Sequence, residues 1–422
     1  MTIDQFSKLA GNLTNLSISE LSKKIEKNQN NGDKIFNFTL GDFSPSNFPI
    51  PKELEIEIVK AYQNKYTNYP TVGGMQELKQ AVSLNLQRLG HFEYSPDEIL
   101  IASGSRALIY LSCKTLLNPG ENIVYTIPSW NNQNFTYLSE AQPIIIHTKP
   151  ENNFLVSAAE LEPHLKLANM IILNSPLNPS GTIFSDNQLR EILQSILKEN
   201  RRRIKEHQKP LYIVFDIVYW LLTYTKPNYL NPLQLLPEIR DYLIFIDGIS
   251  KCFAATGIRV GWTFGPKPII AKMRSMLAHI GAWAPKPEQI ATANYLQQTE
   301  HLDAFLENFK NALLERLNIF YNTVLELKKL DYDLDVLKPH GAIYLAMKIN
   351  LIGYSTPDNY KISNLNDILN YLLKSAKLAL TPFTVFGMED NFPWFILAVG
   401  TCSLEEAKIS AKLFKQAIIN LN

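Results

Sequence analysis

The chain has 422 residues, of which 46% are hydrophobic and 19% are charged. This length allows more than one domain, and this composition excludes a globally disordered protein. Its 41 basic and 40 acidic residues leave a net charge of +1, so neither nucleic acid nor an anionic membrane is expected as a partner. Cys113, Cys252 and Cys402 lie far apart and form no disulfide or metal-binding pattern, which favours a reducing compartment and predicts no metal site.

The first 20 residues are polar and lack the apolar core of a secretory signal peptide. No apolar run reaches the ~18 residues that a membrane-spanning helix requires. We therefore expect a cytoplasmic protein without a membrane segment. A helix is predicted near residues 18–27.

A glycine turn and a loop with proline and glycine come first along the chain. Gly41 follows a short apolar run and would allow another group to approach the backbone closely, although an ordinary turn has the same pattern. Residues 52–65 have helical periodicity. Tyr69 then lies in a loop that leads into a helix over residues 75–88, and by itself it indicates only a surface tyrosine.

A strand over residues 98–102, a turn of small residues and a helix over residues 107–117 follow. This geometry directs free backbone N–H groups and the positive end of the helix dipole at an anion. Many α/β turns share the pattern, so the signal is weak when it stands alone. The candidate anion-binding residues are Gly104, Ser105 and Arg106.

Two further strands end in candidate ligand-binding residues. The strand over residues 122–126 leads to Trp130, whose ring offers a flat face, although a lone tryptophan more commonly packs in a core. The strand over residues 169–173 leads to Asn178, which lies directly before Pro179. Two prolines and a glycine fix this turn, which is a demanding arrangement for an ordinary loop.

A buried strand over residues 211–215 runs into Asp216, and Tyr219 follows three residues later. An aspartate at the end of a buried strand needs a charged or hydrogen-bonding partner. A ligand with an N–H group would provide that partner. The preceding helix, predicted over residues 188–205, ends in three arginines, residues 201–203, which we interpret as a solvent-exposed face.

Lys251 follows an apolar strand over residues 242–246 and has small neighbours, which leave room for a bulky ligand. A buried lysine loses its proton more easily and becomes a nucleophilic amine that can form an imine. Ser250 supplies a hydroxyl beside it, and Arg259, eight residues after the lysine, suits a phosphate because it cannot deprotonate. A solvated lysine at a strand end would give the same local pattern.

The strands predicted near residues 98, 122, 143, 170, 211, 242 and 260 alternate mostly with helical segments. This order predicts an α/β fold with a largely parallel sheet. A long helix over residues 301–328 is predicted to lead to a second domain, in which residues 330–422 mix short strands and helices. A capping box at residues 403–406 opens the final helix.

Taken together and in order, these motifs resemble those of the class I/II aminotransferases, which are pyridoxal 5'-phosphate enzymes of fold type I. The resemblance extends from about residue 38 to the C-terminus. It implies a large cofactor-binding domain over residues 46–325 with a mostly parallel sheet flanked by helices. A smaller α+β domain would combine an N-terminal arm, residues 1–45, with residues 326–422.

The resemblance also assigns roles to the candidate residues. Lys251 would hold pyridoxal phosphate as a Schiff base and then carry a proton, while Asp216 would keep the ring nitrogen protonated. Asn178 and Tyr219 would bind the phenolic oxygen of the cofactor, and Trp130 would stack on its ring. The phosphate would be bound by Gly104, Ser105, Arg106, Ser250 and Arg259, and by Tyr69 of a neighbouring subunit.

The implied reaction is amino transfer between a small-molecule amino donor and a keto acceptor. The Gly41 loop would cover the substrate, with Trp130 and Asn178 beside it, and a homodimer would share its active sites across the interface. The same scaffold also supports lyases, decarboxylases and racemases, because these enzymes share the cofactor residues. A non-catalytic protein that binds pyridoxal phosphate is a further alternative.

One position departs from the family pattern. Family members carry an arginine in the strand before the final helix, where it binds the substrate α-carboxylate through two parallel hydrogen bonds. Ile396 occupies that place here, and the last arginine of the chain is Arg316. Either another group binds the carboxylate, with backbone N–H groups near Gly41 as candidates, or the substrate has no free α-carboxylate. An amine, an amino ketone or a carboxyl-modified amino acid would satisfy the second case.

Overall fold

The computed structural model describes residues 6–11, 13, 25, 34–225 and 230–422. The helix predicted near residues 18–27 lies outside these residues, apart from Ile25. Within the described ranges, no helix is both long enough and apolar enough to cross a membrane.

Thirteen strands are formed by the described residues, and they belong to three sheets. The strands are β1 (Phe36–Asn37), β2 (Ile99–Ala102), β3 (Asn122–Ile127), β4 (Gln142–His147), β5 (Met170–Asn174), β6 (Tyr212–Asp216), β7 (Leu243–Gly248), β8 (Gly261–Phe264), β9 (Leu334–Val336), β10 (Tyr344–Ile349), β11 (Leu378–Ala379), β12 (Thr381–Pro382) and β13 (Trp394–Ala398). Every predicted strand of the main sheet is therefore present.

The helices of the same ranges are α1 (Lys8–Gly11), α2 (Lys52–Gln63), α3 (Gln76–Gly90), α4 (Ser105–Leu116), α5 (Asn132–Leu138), α6 (Ala158–Leu165), α7 (Asp186–Lys205), α8 (Pro232–Leu235), α9 (Ile249–Cys252), α10 (Lys267–Ile280), α11 (Lys286–Leu296), α12 (Thr299–Lys328), α13 (Leu365–Ser375) and α14 (Leu404–Ile419). Ser403 caps α14 through the predicted capping box. The predicted helix ends agree with these bounds to within a few residues, as expected for frayed helix termini.

The main sheet has seven strands in the order β2-β8-β7-β6-β5-β3-β4. The strands from β7 to β4 pair in parallel, and β8 runs antiparallel to both β7 and β2. The largely parallel α/β fold predicted from the sequence is thus confirmed. Because the carboxyl ends of parallel strands meet at one edge, the residues that follow β5, β6 and β7 are brought close together.

The central strands of this sheet are buried on both faces, which explains why they are continuous apolar runs, whereas the edge strand β4 is largely exposed. Along β7, Leu243 and Phe245 pack into the larger core, whereas Ile244 and Ile246 pack into a second core that also contains residues of α4 and α10. This alternation follows from the two-residue period of a strand. The sheet is therefore held rigidly between two helical layers, and the loops at its edge start from fixed positions.

A second, antiparallel sheet has the order β12-β13-β10-β9. The N-terminal strand β1 pairs in parallel with β11, so a segment near the start of the chain lies beside a segment near its end. Helix α12 has 30 residues and connects the two sheets. The domain boundaries near residues 45 and 325 stay predictions.

The interpretation of the arginine run at the end of α7 was partly wrong. The side chain of Arg201 is exposed, as predicted, but Arg203 is buried. Arg203 donates hydrogen bonds to the backbone oxygens of Leu165 at 2.8 Å and Ala168 at 2.5 Å, and it pairs with Glu199. The run of charges could not reveal this, because the accepting carbonyls belong to a different part of the chain.

Candidate active site

A cavity of about 770 Å³ lies at the carboxyl edge of the main sheet, between that sheet and the second one. Most of the predicted site residues line it: Gly41, Ser105, Arg106, Trp130, Asn178, Asp216, Tyr219, Ser250, Lys251, Arg259 and Ile396. Gly104 lies directly behind this wall, in contact with Arg259. The fold thus collects residues from segments that are hundreds of positions apart in the sequence.

Lys251 lies on the short helix α9, which begins directly after β7. Its Nζ donates a hydrogen bond of 2.5 Å to the backbone oxygen of Gly41. Burial lowers the pKa of Lys251 to about 8, the negative charge of Asp42 opposes this shift, and the positive charges of Arg106 and Arg259 add to it. The amine is therefore far easier to deprotonate than an ordinary lysine, as a nucleophile must be.

Asp216 is the last residue of β6 and faces the cavity. One carboxylate oxygen accepts a hydrogen bond of 3.1 Å from the backbone N–H of Val218, and no lysine or arginine of the described chain forms an ion pair with it. Burial raises the pKa of Asp216 to about 6, while the Val218 N–H and the charge of Lys251 act in the opposite direction. A carboxylate in this position is suited to a ligand that brings its own cationic N–H.

Three polar side chains converge on one point of the cavity. The hydroxyl oxygens of Tyr219 and Tyr344 lie 2.6 Å apart, and Asn178 Nδ2 donates to the Tyr344 hydroxyl at 3.3 Å. Asn178 is held in place by its backbone N–H, which donates to Asn174 Oδ1. The sequence analysis did not select Tyr344, because it lies on β10 and reaches this point only through the contact between the two sheets.

The turn before α4 forms another part of the cavity wall. Gly104 has a φ of 93°, and a Cβ atom there would lie 2.1 Å from Nη2 of Arg259. Arg259 itself has a positive φ of 63°, which is unusual for a residue other than glycine and indicates local strain. Ser105 begins α4, so the first N–H groups of a twelve-residue helix point to the same place as the guanidinium.

Trp130 and Arg106 form a stacked pair in the cavity wall. The Arg106 guanidinium carbon lies 4.3 Å from the centroid of the Trp130 ring. The other ring in contact is that of Phe135, which meets Trp130 edge-on with a centroid distance of 6.4 Å. Trp130 therefore presents an aromatic surface inside the cavity rather than being enclosed in a core.

Tyr69, which is predicted to bind the cofactor phosphate of a neighbouring subunit, lies outside the cavity of its own chain. Its side chain is 82% exposed and touches the ring of Trp283 edge-on. An exposed position outside the cavity agrees with the prediction that Tyr69 serves a neighbouring subunit, which the single chain does not test.

Ile396 lies in the middle of β13, opposite Thr381 on one side and Ala346 on the other. It is 3% exposed and contributes an apolar surface to the cavity wall. Gly41 approaches from the other side, and a Cβ atom there would lie 2.6 Å from the Tyr344 hydroxyl oxygen. This part of the wall offers no positive charge to a carboxylate.

The arrangement fits pyridoxal phosphate. One cavity is lined by an easily deprotonated lysine, a carboxylate without an ion pair, the Tyr219 and Tyr344 hydroxyls, and Arg259 beside the glycine turn. Each part of the cofactor has a complementary group: the aldehyde an amine, the ring nitrogen a carboxylate, and the phosphate a guanidinium with helix N–H groups.

Comparisons with known proteins agree with this geometry. Solved structures of aspartate aminotransferases share the fold: that from Rhizobium meliloti has a TM-score of 0.87 at 24% identity and covers 99% of this chain and 100% of its own. A double mutant from Thermus thermophilus has a TM-score of 0.86 at 20% identity, with coverage of 98% and 99%. The fold is thus that of the fold-type I pyridoxal-phosphate enzymes.

The sequence comparisons are more specific. The family described as aminotransferase class I and II matches residues 33–409. A probable aspartate/prephenate aminotransferase of Rickettsia felis is 28% identical over 366 residues, which is 86% of this chain and 85% of the relative. An aspartate aminotransferase of Rhizobium meliloti is 26% identical over 416 residues, which is 96% of each protein. The chain belongs to the class I and II aminotransferase family, and it is an aminotransferase that uses pyridoxal phosphate.

Proposed function

We propose that the protein transfers an amino group from a donor without a free α-carboxylate to a keto acceptor. The observation that carries this proposal is the apolar side chain of Ile396 at the place where family members have a carboxylate-binding arginine. No lysine replaces it, because β13 contains only apolar residues. Arg316, the nearest arginine in sequence, is engaged elsewhere: its Nε donates to the backbone oxygen of Cys402, and it stacks on Phe48.

An apolar wall weakens the binding of ordinary amino acids for a simple electrostatic reason. A carboxylate that enters the cavity loses its hydration, and Ile396 returns no hydrogen bond for it. A bidentate arginine contact contributes on the order of 2–3 kcal/mol, which corresponds to roughly 30- to 150-fold in binding. An amine, an amino ketone or a carboxyl-modified amino acid pays no such penalty against Ile396.

The residues of the cavity have different roles in the amino transfer. Pyridoxal phosphate, when bound, supplies an electron-withdrawing ring and an aldehyde that carries the amino group between the two substrates. Lys251 Nζ removes the proton from the substrate carbon that bears the amino group and later returns a proton to the acceptor carbon. Asp216 keeps the ring nitrogen protonated, and Tyr219 and Asn178 bind the phenolic oxygen.

The complete cycle is balanced without an external oxidant. The donor loses its amino group and the hydrogen on the carbon that bears this group, and it becomes a carbonyl compound. The acceptor gains an amino group and a hydrogen at its carbonyl carbon, and it becomes an amine. The water consumed in one half of the cycle is released in the other.

The proposal also includes the oligomeric state of the protein. Helix α2 exposes Ile56, Val59 and Tyr62, and Tyr69 is exposed outside the cavity of its own chain. We propose a homodimer in which Tyr69 binds the cofactor phosphate of the neighbouring subunit. The three free cysteines are all buried, which supports a location in the reducing cytoplasm.

The dimer is tested by mixing two inactive variants, Lys251→Ala and Tyr69→Phe, under conditions that exchange subunits. In a mixed dimer, the site with an intact Lys251 faces an intact Tyr69, so activity should return. Mixtures that stay as inactive as their parents, although sedimentation shows exchanged dimers, would contradict the shared site.

Substrate choice is tested by single turnovers of the cofactor-loaded enzyme with a panel of donors, including aspartate because relatives are named for it. Amino acids with a neutral side chain should be poor donors, and Ile396→Arg should improve them by roughly 30- to 150-fold. Ile396→Met is the matched control, because it keeps an apolar side chain and should give no gain. Efficient turnover of these neutral amino acids by the unmodified enzyme would refute the proposal.

A further inference from the structure

The cavity contains a guanidinium, that of Arg106, which has no hydrogen-bond or ion-pair partner among the described residues. Arg106 lines the cavity, and no described carboxylate or carbonyl accepts a hydrogen bond from it. Its contact over the Trp130 ring fixes its position. Because the N–H donors of a guanidinium lie in its own plane, a contact with an aromatic ring leaves these donors available to an anion.

Arg259, the other arginine of the cavity, is placed differently. Its Nη1 donates to the backbone oxygen of Thr256 at 2.8 Å, and its Nη2 donates to the backbone oxygen of Ser103 at 2.9 Å. These two bonds and the contact with Gly104 hold Arg259 beside the turn that begins α4. The two arginines are therefore not interchangeable, since backbone oxygens use the donors of Arg259, whereas Arg106 is positioned by the Trp130 ring and keeps its donors available.

Arg106 lines the same cavity as Lys251, and the positive charges of Arg106 and Arg259 both help to lower the pKa of the lysine. The cavity wall carries Asp42 and Asp216 as its acidic residues. Asp216 is needed by the ring nitrogen, and Asp42 already accepts a hydrogen bond from Thr256. Among the described residues, neither aspartate forms a hydrogen bond or an ion pair with Arg106.

Amino transfer to a keto acid requires a carboxylate site even when the donor has no carboxylate. The two substrates use one cavity in turn, and a keto acid brings at least one carboxylate into it. Ile396 cannot bind that group, and Arg259 is held at the phosphate end. The cavity therefore needs a cation that is neither fixed by the backbone nor used by the cofactor, and Arg106 meets this condition.

We propose that Arg106 binds a carboxylate of the keto acceptor on the Trp130 side of the cavity and thereby selects acidic acceptors. This inference rests on the proposed amino transfer. It also separates Arg106 from the phosphate-binding residues with which the sequence resemblance had grouped it. The keto acid would enter with its carboxylate towards Trp130 and not towards Ile396.

The test compares Arg106→Gln with Arg259→Gln, since both changes remove one cavity guanidinium. Calorimetric titration of the cofactor-free proteins with pyridoxal phosphate should show a loss of affinity of at least roughly tenfold for Arg259→Gln and of less than about threefold for Arg106→Gln. The cofactor-loaded proteins are then titrated with maleate, a dicarboxylate that cannot react, and followed by visible absorbance. Arg106→Gln should weaken maleate binding by roughly 10- to 100-fold, and Arg106→Lys should weaken it less.

A steady-state comparison provides a second measurement. The preference for 2-oxoglutarate over a neutral aldehyde of the same chain length should fall by roughly 10- to 100-fold in Arg106→Gln, mainly through KM. A defect in folding or in cofactor position would lower the turnover of both acceptors together.

Two results would overturn the inference. The first is a loss of pyridoxal phosphate affinity in Arg106→Gln as severe as that in Arg259→Gln, which would assign Arg106 to the phosphate. The second is a maleate affinity of Arg106→Gln equal to that of the unmodified protein. Failure of the unmodified enzyme to transfer amino groups to any acceptor would instead refute the proposed function, and the maleate titration would still decide the role of Arg106.

Discussion

The acidity of Lys251 is the most direct prediction of the site. With a pKa of about 8, about 9% of the amine is neutral at pH 7, compared with about 0.04% for an ordinary lysine of pKa 10.4. At equal intrinsic reactivity, Lys251 should therefore react about two hundredfold faster than an exposed lysine at this pH. The advantage should disappear above pH 10, where exposed lysines also deprotonate.

Competitive labelling measures this directly. The cofactor-free protein is treated briefly with an amine-reactive reagent between pH 6 and pH 11, and digestion with mass spectrometry gives the extent of labelling at Lys251 and at exposed lysines in the same sample. Labelling of Lys251 should have its midpoint near pH 8. The exposed lysines serve as the internal control, and their midpoints should lie near pH 10.4.

Two variants test how the neighbouring charges, as distinct from burial, affect the pKa of Lys251. Asp42→Asn removes the charge that favours the protonated amine, so the Lys251 midpoint should move to lower pH. Arg106→Gln removes a charge that disfavours it, so the midpoint should move to higher pH. A midpoint at the value of exposed lysines would refute the reasoning about burial. Shifts in the opposite directions would refute the assignment of the neighbouring charges.

The remaining predictions concern the phosphate turn, the ring nitrogen and the core. Gly104→Ala should weaken pyridoxal phosphate binding by at least roughly tenfold in calorimetry because its Cβ would overlap a guanidinium, whereas Gly257→Ala, which has open space, should not. Asp216→Asn should slow the single-turnover rate by roughly a hundredfold or more, and a near-normal rate would mean that another carboxylate serves the ring nitrogen. Arg203→Ala should lower the free energy of unfolding in urea by roughly 3 kcal/mol, since buried carbonyls lose their donor, and the exposed Arg201→Ala should change it by less than about 1 kcal/mol.

The positions of strands, helices and turns along the chain could be predicted from the sequence alone. The apolar runs predicted the central strands of the main sheet, because strands that are buried on both faces must be continuously apolar. Small residues marked the turn at Gly104, and prolines marked the turn that holds Asn178. The positions of Asp216 and Lys251 at strand ends also followed, since in a parallel sheet such residues meet at a common edge.

Contacts between distant segments were decided only by the tertiary structure. Tyr344 meets Tyr219 across 125 positions of sequence, and the Gly41 backbone oxygen meets Lys251 across 210. Neither approach leaves a local pattern, because both depend on how the second sheet packs over the first. The same reason explains why Arg203 looked exposed. The sequence shows which side chains carry a charge. It does not show which groups they contact, because those contacts depend on how distant helices and strands pack together.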